Sequence, residues 1–143
     1  SHVGFVSTDF QNEDWLARLI ARGFDATRPA LFLWEGVTMY LERPAVEYTF
    51  RKIASTAKGS VVAFDYFTSE VLTSSKPYWR FARYSTKAAG EPLKFGIDST
   101  PPSRQRTAEF LQSCGLRLDQ QQTLGKDTDK DRAWGGFATA VVK

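Results

Sequence analysis

The chain has 143 residues, 42% of them hydrophobic and 24% charged, with a formal net charge of +3. Those values describe one soluble globular domain with room for a core, and they exclude a disordered segment or a strongly basic polyanion binder. No apolar run approaches the ~20 residues that span a bilayer, and the lone Cys114 excludes an internal disulfide framework and points to a reducing, cytoplasmic setting.

Three apolar runs end on a carboxylate: residues 3–8 before Asp9, residues 31–34 before Glu35, and residues 61–64 before Asp65. Near-continuous apolar runs are the pattern of buried parallel strands. The first helix is expected to begin at Asn12, with Glu13 and Asp14 at the positive end of its dipole and Gly23 at its exit. Trp15, Leu16, Leu19 and Ile20 share one face of it. A second helix opens with Pro44 in its first turn and lines up Val46, Phe50, Ile53 and Ala57 before Gly59. Strand, helix, strand, helix, strand over the first 67 residues predicts parallel units with right-handed crossovers.

Beyond Phe67, residues 69–90 read as helical with an interruption at Pro77, and 91–102 as a loop. Residues 103–114 read as a helix that aligns Ala108, Leu111 and Cys114. Residues 116–124 and 136–142 are expected to pair as an antiparallel hairpin, since no helix separates them. Gln120, Gln121 and Gln122 are unusually polar for a buried strand. Asp127, Asp129 and Asp131 alternate with Thr128, Lys130 and Arg132 as an exposed turn; they lack the glycine and closing glutamate of a calcium loop.

His2 is the only histidine, so a metal cluster or a nucleophile with an imidazole base is not expected. Neither a GxGxxG turn nor a Walker loop is present. The strand-end acids remain, because open α/β sheets bind ligands beyond the carboxyl ends of their strands. Asp9 can accept from an exocyclic amine while the Phe10 ring covers a base, or it can serve only as a turn acid. Glu35 precedes Gly36, where backbone can approach a ligand, or it can be a simple cap. Between Lys76 and Arg106, basic residues interleave with Tyr78, Trp79, Phe81 and Tyr84. That mixture suits single-stranded nucleic acid, but an amphipathic helix burying its rings on one face accounts for it more simply.

FVSTDF (5–10), WLARLIARGFD (15–25), RPALFLWEGVTMYL (28–41) and GSVVAFDYF (59–67) resemble the leucine carboxyl methyltransferase family, in its bacterial branch. GEPLKFGID (90–98) and FLQSCGL (110–116) resemble that family's later region. The resemblance implies an open Rossmann-like α/β sheet, mostly parallel, with an antiparallel C-terminal hairpin. It also implies S-adenosyl-L-methionine as cofactor, with Asp9 and Phe10 at its adenine and Glu35 near its methionine and ribose. Tyr40 and Tyr66 become acceptor-side candidates, although core packing accounts for either. The acceptor is left as a carboxylate or a small-molecule oxygen.

In the family's sheet order 3-2-1-4-5-7-6, residues 1–143 supply strands three to seven and lack the first two, together with their glycine-rich turn. The chain is thus expected to be the C-terminal part of a methyltransferase domain that binds cofactor weakly by itself. Two other readings are a noncatalytic module that self-associates through its exposed sheet edge, and a nucleic-acid binder using the basic stretch.

Overall fold

The computed structural model describes residues 2–143. Strands β1 (Leu31–Trp34), β2 (Val61–Phe67), β3 (Leu116–Leu124) and β4 (Gly135–Val142) form one sheet in the order β1-β2-β4-β3. β1 runs parallel to β2, while β4 enters between β2 and β3 antiparallel to both. This is the contiguous block expected for strands four, five, seven and six of a Rossmann-like sheet, with its antiparallel hairpin.

The parallel part is smaller than the sequence suggests. Residues 3–8 form no strand, because without a neighbouring strand their backbone groups have no ladder to join. The sheet is therefore mixed, with β1–β2 its one parallel pair of strands among the described residues.

Helix α1 (Trp15–Ala21) starts at Asp14 rather than at Asn12. The Asp14 carboxylate accepts the Ala17 N–H at 3.0 Å and is the cap, whereas the Asn12 amide donates to Asp9 at 2.7 Å in the turn before the helix. Asp14 also accepts from the Lys52 ammonium at 2.6 Å and so ties α1 to α2 (Arg43–Ala54). Pro44 occupies the first turn of α2 as expected, and Ala57 lies beyond its end. Residues 69–90 divide at Pro77 into α3 (Ser69–Thr73) and α4 (Pro77–Ala88). Helix α5 (Ser103–Ser113) follows two prolines that offer no side-chain acceptor. Asp127, expected in a solvated turn, reaches across and accepts the Ser103 N–H at 2.8 Å. It satisfies one of the donors that a helix start leaves open.

One face of the sheet holds the core. Trp34, Val62, Phe64, Tyr66, Ala138 and Ala140 point toward α1, α2 and α5, where they meet Trp15, Leu16, Val46, Phe50, Ile53 and Leu111. Phe50 is fully buried, with ring centroids 5.1 Å from Trp34, 4.9 Å from Phe64 and 5.8 Å from Phe110. The opposite face is bare: Leu31 and Leu33 are 72% and 73% exposed and Phe137 51%. Pairing aligns Leu33, Ala63, Thr139 and Gln120 in one row of that face, and Asp65, Phe137 and Gln122 in the next. Gln120 and Gln122 therefore meet solvent. Gln121 turns inward and donates to the Tyr66 hydroxyl and, at 3.0 Å, to Thr107.

The ring hub predicts a large effect of its removal. Phe50→Ala should lower unfolding free energy by about 3–5 kcal/mol through lost burial and a residual cavity, read from urea denaturation followed by circular dichroism.

Candidate functional site

The carboxyl ends of β1 and β2 build the candidate site. Past Trp34 the chain leaves the sheet through Glu35 and Gly36, whose φ of 71° is the left-handed conformation that glycine adopts without strain. The Gly36 N–H donates to the Asp65 carboxylate at 2.8 Å, and Thr38 donates through its hydroxyl to the Asp65 carbonyl at 2.9 Å. These bonds fix the turn after β1 against the end of β2. A short 3-10 turn, Thr38–Tyr40, follows.

Glu35 and Asp65 line one groove of about 490 Å³ on the bare face, together with Leu33, Gln120, Gln122 and Phe137. Glu35 is exposed, and among the described residues its carboxylate has no hydrogen bond or ion pair. An acid left open beside an apolar floor can receive a ligand's ammonium or hydroxyl groups. Asp65 belongs to this groove although the sequence argument gave it no ligand role. Its signal was present in the third apolar run that ends on an acid.

Asp9 is not brought to that groove. Its carboxylate accepts the Gln11 N–H at 2.8 Å and the Asn12 amide at 2.7 Å, and its own N–H donates to Glu13 at 2.6 Å. Glu13 in turn pairs with Arg18. Asp9 and Glu35 therefore do not share a rim here, because residues 3–8 form no strand that would carry Asp9 to the sheet. Phe10 does approach it, with its ring 6.2 Å from both Trp15 and Trp34. The indole N–H groups of Trp15 and Trp34 are buried without a partner among the described residues, as is the Thr8 hydroxyl. Buried orphan donors of this kind call for an acceptor.

The two tyrosines separate. Tyr40 is half-buried after β1 and faces a cavity beneath α4. Tyr66 is 2% exposed, its ring against Phe64 and its hydroxyl 3.4 Å from Thr107. Its place in the core follows from position 66 falling on the helix-covered side of β2. In α4 the rings expected to be buried are not: Tyr78, Phe81 and Tyr84 are all exposed, and the helix has no buried residue. No helix among the described residues is long and apolar enough to cross a membrane.

Sheet order and rim acids define a Rossmann-like α/β unit. A solved DUF574 family protein from Streptomyces avermitilis shares this fold, with a TM-score of 0.54 at 15% identity over 86% of this chain and 48% of that one. Residues 1–54 match the sequence profile of the leucine carboxyl methyltransferase family, which bears out the resemblance read from the motifs. A Mycobacterium tuberculosis protein is 46% identical over 138 residues, which is 88% of this chain and 42% of the relative. One from Mycolicibacterium vanbaalenii is 47% identical over 114 residues, 74% of this chain and 35% of the relative. Both bear the provisional name of S-adenosyl-L-methionine-dependent methyltransferase. The chain thus spans less than half the length of these relatives.

The Asp9 turn gives a titration test. Hydrogen bonds from the Asn12 side chain, and then from the Gln11 backbone, hold its carboxyl below the ordinary aspartate range. A depressed native pKa contributes stability above the unfolded value of about 3.9 and loses it as pH falls through the native value. Carboxyl-carbon NMR should show a low Asp9 midpoint that rises in Asn12→Ala. A midpoint unmoved by that substitution would contradict the assignment.

Proposed function

We propose that this chain is the C-terminal part of an S-adenosyl-L-methionine-dependent methyltransferase domain. The observation that carries the proposal is the open Glu35 carboxylate beside Asp65, at the carboxyl end of a parallel strand pair, in a chain matching a methyltransferase family over its first 54 residues. Glu35 is assigned to the methionine and ribose portion of the cofactor. Asp9 and Phe10 are assigned to its adenine, and this requires residues 3–8 to pair with a neighbouring strand. The unpartnered indole donors beside Phe10 fit a heterocycle rich in acceptors.

When bound, the cofactor supplies a methyl group on a sulfonium that a nucleophile displaces in line. What the chain itself contributes is alignment and exclusion of water, by the rim acids and the aromatic residues around them. Such a displacement onto a carboxylate or an ionised oxygen needs no general base, which suits a chain whose only histidine is His2. A single cysteine, Cys114, suits a reducing compartment and supports the cytoplasm as the site of action.

A chimaera tests the proposal: residues 2–143 replace the matching segment of the Mycobacterium tuberculosis relative. Calorimetry should show saturable binding of S-adenosylhomocysteine. Glu35→Gln should weaken it about tenfold or more, as loss of a charged hydrogen bond implies. A folded chimaera without binding overturns the reading. The 143-residue chain alone is expected to show no low-micromolar affinity.

The bare face supports a second reading, association with another copy. β1 presents Leu31 and Leu33 and an outer edge without a paired strand, and neither a charge nor a proline interrupts it. Unprotected edges of this kind pair readily. Light scattering after size exclusion should then report a dimer that Leu33→Lys converts to monomer, and a parent chain that is monomeric at all concentrations removes this reading.

A further inference from the structure

Helix α4 roofs a chamber that the protein's own side chains leave unfilled. Between the inner side of this helix and the rim of the sheet lies a cavity of about 330 Å³, walled by Tyr40, Phe67, Tyr78, Trp79, Leu93 and Trp134. Tyr40 follows β1, Phe67 ends β2 and Trp134 precedes β4, so the chamber stands at the same carboxyl rim as Glu35 and Asp65. The space is open to solvent on the side of Tyr78, which is 71% exposed, so a ligand gains by displacing water from its apolar walls. A pocket of this volume suits a small fused-ring system.

The walls are set before any ligand arrives. The Trp134 N–H donates to the Leu124 carbonyl at 2.9 Å, and its own carbonyl accepts the Thr68 N–H at 2.9 Å. The Trp134 ring stands 6.1 Å from Phe67 and 5.7 Å from Trp79. Leu93 is held by its loop: Gly96 passes so close to Thr68 that a Cβ there would lie 2.7 Å from the Thr68 carbonyl, and Ile97 donates its N–H to Phe67 at 3.0 Å.

The roof is clamped by charges that do not line the chamber. The Arg83 guanidinium donates to the Val71 carbonyl at 2.7 Å and the Ser74 carbonyl at 2.9 Å, and Lys76 pairs with Glu70 at 3.2 Å. Among the described residues, the lining holds no aspartate, glutamate, lysine, arginine or histidine. The Thr86 hydroxyl already donates to Ala82 at 3.0 Å, which leaves the Tyr40 and Tyr78 phenols as the hydroxyl donors for a ligand. An anion here would meet apolar walls and find no cation among the lining residues to pair with. A flat ring would find edge and face partners on several sides.

We infer that this chamber binds a neutral, flat aromatic small molecule, packed against Phe67, Trp79 and Trp134 and oriented by a tyrosine hydroxyl. The inference concerns the binding of this neutral molecule alone; the carboxylate or ionised oxygen that the methyltransferase reading requires as acceptor is not assigned to the chamber.

NMR titration of the full chain with 2-naphthol and with 2-naphthoate tests it, read at the indole N–H signals of its four tryptophans. The expected result is saturable shifts at Trp79 and Trp134 with 2-naphthol, no movement at Trp15 and Trp34, and at least tenfold weaker binding of the naphthoate. Ala82→Phe on the roof and Leu93→Trp on the loop both fill the chamber, and whichever keeps a native spectrum should lose the naphthol shifts. The inference is overturned by an absence of saturable shifts, by equal binding of the anion, or by undiminished binding in a folded filled variant. Failure of the chimaera to bind S-adenosylhomocysteine, with the naphthol shifts intact, removes the methyltransferase reading alone.

Discussion

One-sided burial governs this molecule. Phe50 joins the rings of Trp34, Phe64 and Phe110, so that α2, α5 and the two parallel strands share a single packed layer. That side is packed ring against ring, with the Trp15 and Trp34 indole N–H groups left without a partner among the described residues, and the other is left to solvent or to whatever covers it. β2 is the strand on which both sides depend. It alternates Val62, Phe64 and Tyr66 into the core with Ala63 and Asp65 toward the groove. A one-residue slip of β2 would exchange the two sets and destroy core and groove together.

The same layer explains why the rim is where chemistry can occur. Strand ends carry polar groups that the core cannot accept, and the hydrogen bond from the Gly36 N–H to the Asp65 carboxylate holds two such ends together. Glu35 is left with no partner on the open side of that junction, while Trp134 and Phe67 close the neighbouring space from the other flank. An acidic patch and an aromatic chamber thus share one rim but present opposite chemistry.

Much of this was legible in the chain. Apolar runs ending in acids located β1 and β2, Pro44 and Gly59 bracketed α2, and the hairpin followed from two late strands without a helix between them. What could not be read depended on partners distant in sequence. Residues 3–8 have the composition of a strand, but a strand exists only through its neighbours. Asn12 is a good cap by type, yet its amide donates to Asp9 in the turn before the helix and Asp14 is the cap. Asp127 looked solvated because its donor, Ser103, lies 24 residues earlier. The glutamines of β3 seemed misplaced until the sheet showed an outermost strand with only Gln121 facing inward. The exposed rings of α4 follow from a helix clamped by Arg83 rather than by packing, which periodicity does not report.

The reversal of β4 has a practical side. Because it runs against β2, it begins beside Phe67 at the functional rim and finishes with Val141 opposite Val61 at the far edge of the sheet. Lys143 therefore emerges on the side remote from both the groove and the chamber. A fluorophore, affinity handle or surface tether attached there leaves the approach of small molecules unobstructed.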